Sequence, residues 1–231
     1  MSTTLISTFF PLFCYFAYNV IVPIVEKMRP SLSSIMNMQR RRWVANAALR
    51  ESPFDAILSG NIMGSVSFLA STAVLLILAI FAVFGQVPAL INTLNSLSLN
   101  RAYTTLDVQL HLLVMLSMFV LAFFAFTLSL RQFNHFCIML GAIDHSVPIS
   151  EEEIDAITAM NALGARNFNS GVRAYYFSVA TVAWFVSEWL PIFACVATIM
   201  ILAHREFFSS SHRTAASVAI IAARRQQDRR K

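Results

Sequence analysis

The run from Tyr175 to Ala203, YYFSVATVAWFVSEWLPIFACVATIMILA, restricts the fold more than any other stretch, and its one charged residue, Glu188, falls near the middle. About 20 consecutive apolar residues are enough for a helix to cross the hydrocarbon of a bilayer. In that solvent every backbone N–H and C=O must find its partner inside the structure, which leaves helices or closed barrels as the only spanning forms. The run therefore predicts a membrane helix. It also makes Glu188 an intramembrane acid, a costly placement that marks a candidate functional position.

Three more apolar runs predict spans at about 5–25, 62–84 and 108–130. With 57% hydrophobic and 13% charged residues, the composition is that of a membrane protein rather than a soluble core. Gly and Pro are few and Phe is abundant, which favours packed helices over alternating β-strands. The expected fold is all-α and polytopic, with four transmembrane helices and two amphipathic cytoplasmic connections. Residues 1–207 form the membrane domain, and 208–231 a basic tail, flexible or interfacial. The first run lacks the basic n-region and the small-residue cleavage site of a signal peptide, so it reads as a helix. Pro11 and Pro23 fall near its two ends, where a missing N–H matters least.

The first connection carries Leu32, Met36, Trp43 and Ala47 at roughly helical spacing, with Arg40, Arg41, Arg42 and Arg50 among them. That pattern predicts an interfacial helix with Trp43 as its anchor and the arginines at lipid headgroups. The second connection opens with Ser150 and Glu153 at capping-box spacing, so the acids at 151–153 read mainly as a helix start. A salt link from them to Arg40–Arg42 is the weaker alternative. Gly60 and Gly64 form a small-xxx-small pair, which predicts a seam between helices. Arg131 to Asn134 and Arg166 to Asn169 both read R-x-F-N and are expected at one membrane face.

Four spans place both termini on one side, and the positive-inside rule makes that side non-cytoplasmic. The first connection holds Lys27, Arg29, Arg40, Arg41, Arg42 and Arg50, whereas the link between the second and third spans holds only Arg101. This arrangement strands the basic tail, Arg205 to Lys231, on the outer side. The expected location is a bacterial inner membrane. The net charge of +5 gathers beside apolar runs, so anionic lipid is the expected partner rather than nucleic acid.

No nucleophile–base pair, phosphate loop or metal-ligand spacing is present, and Cys14, Cys137 and Cys195 stand far apart. A haem between His111 and His204, both expected near the outer face, is the best cofactor case and a weak one. No enzyme activity, metal or cofactor is therefore expected.

Several stretches resemble a known family: SVSFLAST at 65–72, QFNHFCIMLGAI at 132–143, and MNALGARNFNSGVRAYYFSVATVAWFVSEWL at 160–190. The most specific pattern is N-x-x-A-x-R-x-F-N-x-G-x-R-A-x-x-F, starting at Asn161 and ending at Phe177. Over roughly 39–207 the chain resembles the bacterial and plant integral membrane proteins of domain of unknown function 599. The resemblance implies a four-helix membrane protein and brings no activity with it. Glu188 and the long basic tail look like departures from the family pattern.

Two functions remain. The favoured one is an accessory or structural subunit, or an assembly factor, of a larger membrane complex or homo-oligomer. It would bind partners or anionic headgroups through Arg40, Arg41, Arg42, Arg131, Asn134, Arg166, Asn169 and Arg173. The alternative is a small oligomeric transporter or channel that uses Glu188 as its proton or cation site.

Overall fold

The computed structural model describes residues 2–50, 53–96 and 103–228, with side chains from residue 3 to residue 221. Among the described residues the chain forms eight α-helices and no strand. They are α1 (Ser2–Glu26), α2 (Leu32–Ala47), α3 (Phe54–Phe84), α4 (Val87–Ser96), α5 (Thr105–Gly141), α6 (Glu151–Val182), α7 (Leu190–Phe207) and α8 (Ser210–Asp228). A 3-10 turn at Ala183–Phe185 follows α6. Arg101 and the tail residues Arg229, Arg230 and Lys231 lie outside the described residues, as do the side chains of Arg224 and Arg225.

Four segments are long and apolar enough to cross a membrane: Thr3–Glu26, Phe54–Phe84, Thr105–Gly141 and Leu190–Ile221. The first three contain the expected spans and extend past them. The run at 175–203 is not one helix. It divides at the 3-10 turn and the open residues after it, and α7 begins afresh at Leu190. Pro191 explains the division. Inside a helix its ring would clash with the carbonyl of residue 187 and remove one hydrogen bond, whereas in a first turn it costs nothing. The amphipathic helix expected from Ser150 does not stop before the apolar run but continues into it, as far as Val182. Pro11 is also placed differently, because α1 starts at Ser2 and the proline falls in the helix interior.

The chain divides into two compact units. The first contains Met1–Val20, Ser65–Leu128 and Asn167–Ile199; the second contains Ile21–Gly64, Ser129–Arg166 and Met200–Lys231. Helices α1, α3, α5, α6 and α7 each contribute a part to both. Among the described residues, all charged residues except Asp107, Arg173 and Glu188 belong to the second unit.

The first unit buries Ile80, Val87, Leu112, Phe119 and Trp184, with α4 covering the core through Val87 and Leu94. Polar side chains inside it bond to the backbone, as buried groups must. Tyr103 donates to the Phe185 carbonyl at 2.7 Å, and Tyr175 to that of Leu69 at 2.7 Å. Gly171 of α6 lies under the ring of Phe126, so close that a methyl there would meet it at 2.6 Å.

The second unit is built on Val44, Phe136, Ile143, Ile154 and Ile157. Ser31 caps α2, its hydroxyl accepting from the Ser34 N–H at 3.0 Å, and Ser150 caps α6 by accepting from the Glu153 N–H at 3.1 Å. Arg41 bonds both Glu151 and Asp155, so the salt link expected as the weaker alternative is present. Gly164 repeats the glycine–phenyl contact, with the Phe133 ring 2.9 Å from where its methyl would be. Helix α8 packs on α2. Nearby, His212 Nε2 lies 3.0 Å from the Pro30 carbonyl, and the Arg29 guanidinium lies 4.2 Å from the centre of the Phe208 ring.

The close helix contacts thus use Gly164 and Gly171, not the expected Gly60–Gly64 seam. A methyl at either Gly60 or Gly64 would meet nothing within 4 Å.

Candidate functional site

The second unit holds a pocket of about 380 Å³ between α3 and α5. Small residues make the room. Helix α3 presents Asp55, Ser59, Gly60 and Met63 at successive turns of one face, and α5 presents Cys137, Leu140 and Gly141. Arg50 and His145 stand at one end. There Asp55 is nearly fully buried and well satisfied. The indole Nε1 of Trp43 donates to its Oδ1 at 2.6 Å, and Arg50 donates through Nη2 at 2.9 Å and Nε at 3.3 Å. The paired carboxylate in turn raises the pKa of the Arg50 guanidinium. Trp43 thus bonds inward through its indole N–H, with its ring also 5.3 Å from that of Phe136.

His145 is held by its Nδ1, 3.1 Å from the Ala48 carbonyl. At the opposite end Cys137 Sγ lies 3.8 Å from Met63 Sδ. Between the ends is Ser59, 6% exposed, whose hydroxyl has no partner among the described residues.

The residues singled out from the sequence fall in several places. Of the Arg40–Arg42 triplet, Arg41 makes the ion pairs. Arg40 donates to Asn37 Oδ1 at 2.8 Å, and burial lowers its pKa. Arg42 keeps a buried Nη1 without a partner among the described residues. Arg131, Asn134 and Arg166 are exposed on the second unit with no bond among the described residues. The two R-x-F-N phenylalanines are packing residues: Phe133 lies on Gly164, and Phe168 lies 6.0 Å from Phe126.

Arg173 and Asn169 belong to the first unit. Arg173 donates to Asn19 Oδ1 at 3.0 Å and lies 5.1 Å from the centre of the Tyr18 ring, with no carboxylate within 4 Å among the described residues. One turn away, the Tyr15 and Ser170 hydroxyls meet at 2.9 Å. Glu188 lies in the break before α7, half-buried, and accepts from Thr4 Oγ1 at 2.8 Å. His111 is fully buried, stacked on Trp184 at 4.3 Å with Nε2 2.9 Å from the Thr181 carbonyl; His204 lies 6.4 Å from Phe208. No group of His, Cys, Asp or Glu that could hold a metal ion occurs among the described residues.

Asp55, Ser59, Cys137 and His145 were not singled out by the sequence. The signal was the small residues Ala56, Ser59 and Gly60, which suit close helix contact and an open face equally well.

Residues 6–211 match the family described as protein of unknown function, DUF599. The chain belongs to this family. Within the stretch from Asn161 to Phe177, Gly171 seats Phe126, Ala174 and Phe177 are fully buried, and Arg173 bonds to Asn19 of α1. These residues of the stretch serve the packing of α6. No curated protein and no solved structure matches the chain.

Proposed function

We propose that the protein is an integral membrane accessory or structural subunit without a catalytic centre of its own, with the second unit at the cytoplasmic face. The observation that carries this reading is the separation of charge. Nearly all ionic groups collect in one unit, while the other exposes large apolar side chains such as Phe13, Phe16 and Val20 on α1 and Phe68, Leu75 and Phe81 on α3. Apolar surface on that scale calls for lipid or a membrane partner. The unpaired Arg131, Asn134 and Arg166 offer exposed donors for an acidic partner or for headgroups.

This reading assigns the orientation differently from a count of four spans. Each of α1, α3, α5, α6 and α7 contributes to both units, and the start of α1 belongs to the apolar unit and α8 to the charged one. The C-terminal half of α6 acts as a fifth crossing, and the basic tail then joins the basic first connection on the cytoplasmic side, as the positive-inside rule requires.

Purification of the tagged protein from its native membrane in mild detergent, followed by native mass spectrometry, tests the assignment. A stoichiometric second subunit, lost on Arg131→Ala/Arg166→Ala, is the expected result. A clean homo-oligomer with ion flux in vesicles would overturn it.

A further inference from the structure

The second-unit pocket has a direction. Along α3 its lining passes from Asp55 through Ser59 and Gly60 to Met63; on the other wall it passes from His145, in the turn after α5, through Gly141 and Leu140 of α5 to Cys137. The two helices run in opposite senses, so both walls change from ionic and hydrogen-bonding at one end to sulfur and methylene at the other. From residue 55 to 63 a helix advances about 12 Å. A cavity of about 380 Å³ along that length has room for an extended methylene chain. The polar end shares Arg50 and His145 with a second hollow of about 430 Å³ lined by Leu49 and residues 146–149. Beyond Met63 the sequence of α3 continues into a long apolar stretch, Ser65–Phe84.

We propose that this pocket binds one acyl chain of a lipid, with its carbonyl or carboxylate head at Ser59 and Arg50. The unpartnered Ser59 hydroxyl, already buried, can donate to that oxygen. Arg50 uses only Nε and Nη2 on Asp55, which leaves the Nη1 hydrogens for a second bond. A buried hydroxyl without a partner is a standing cost that such a ligand removes. The volume is within the range of small-molecule sites, roughly 300–1,000 Å³, and the mostly apolar lining with a few placed polar groups is the usual character of such sites. The chain can come from a phospholipid, whose headgroup would occupy the second hollow, or from a free fatty acid.

Two glycines of α3 give a matched test. A side chain at Gly60 enters the pocket, whereas one at Gly64, a turn further on, does not line it; neither meets protein within 4 Å. Full-length wild type, Gly60→Leu, Gly64→Leu and Ser59→Ala are to be delipidated by detergent exchange. Each is then titrated with oleic acid or with dioleoylphosphatidylglycerol and read by native mass spectrometry. Wild type and Gly64→Leu should bind one molecule, Gly60→Leu at least tenfold more weakly, and Ser59→Ala at an intermediate level. Tighter binding of the phospholipid or of the acid identifies the source. If Gly60→Leu fails to fold, Gly141→Leu fills the pocket from the other wall. Absence of one-to-one binding to wild type, or equal binding to the filled variants, overturns the proposal.

Discussion

Gly171→Ala should destabilise the protein, although alanine is the better helix former. The added methyl would lie 2.6 Å from Phe126 Cε1 and 2.8 Å from Cδ1 and Cζ. Carbon atoms in good contact are about 3.5–4.0 Å apart, so the ring must retreat by about 1 Å. It has no free direction. Phe126 is fully buried, with Tyr175 at 5.3 Å and Phe168 at 6.0 Å between ring centres. Overpacking of this kind costs about 1–3 kcal/mol, and the helix propensity of alanine offsets up to about 1 kcal/mol. The net loss is about 1–2 kcal/mol, or about 2–8 °C in Tm for a chain of this length. Thermal unfolding of purified protein in one detergent measures it. Gly64→Ala is the control, since its methyl meets nothing and only the favourable propensity acts. Phe126→Leu should recover part of the Gly171→Ala loss in a double-mutant cycle, because the two residues are in contact. A Gly171→Ala protein as stable as wild type, or a strictly additive double mutant, would refute the packing account.

Asp55→Ala leaves the half-buried indole N–H of Trp43 without its acceptor; a lost partner of this kind costs about 1–3 kcal/mol, read as a lower Tm with altered Trp43 emission. Arg50→Gln should be milder, since the guanidinium is well exposed. Glu188→Gln keeps an oxygen for Thr4 Oγ1, so the change in unfolding free energy should stay within about 0.5 kcal/mol; a large loss of stability or of a measured ion flux would restore Glu188 to a central role. In a cysteine-free background, a membrane-impermeant maleimide on intact cells should label Thr3→Cys and not Ser210→Cys. Labelling of both, or of neither, rules out five crossings.

The apolar runs could be read from sequence because hydrocarbon allows only a few backbone forms, and α2 appeared where helical periodicity predicted it. The caps at Ser31 and Ser150 are likewise local, and the second was expected from its spacing. What the sequence could not show depends on distant neighbours. Whether Gly60 or Gly171 seats a ring is decided by where Phe126 falls on another helix, and nothing local separates the two glycines. Trp43 has the composition of an interfacial anchor, but Asp55, twelve residues on, draws its N–H inward. The pocket arises from two helix faces that are far apart in the chain, so its serine and histidine carry no motif.

The division of the 175–203 run has the widest consequence, and Arg173 shows why hydropathy alone does not reveal it. The second half of α6 is diluted by Arg166, Asn167, Asn169 and Arg173, so it does not qualify as a span by composition. Its charge is nevertheless accommodated within the apolar unit. The Arg173 guanidinium bonds an amide oxygen and lies near an aromatic ring, both supplied by α1, and the hydroxyls one turn away satisfy each other. Polar atoms matched in this way between helices lower the cost of placing them in hydrocarbon. A helix that looks too polar to cross can therefore do so beside the right neighbour. On the proposed five-crossing reading, counting it changes the parity of the crossings and would bring the basic tail to the same side as the basic connection. Replacing Asn19 with leucine would leave Arg173 without its amide partner, and α6 should then lose protection from backbone hydrogen exchange before α3 or α5 does.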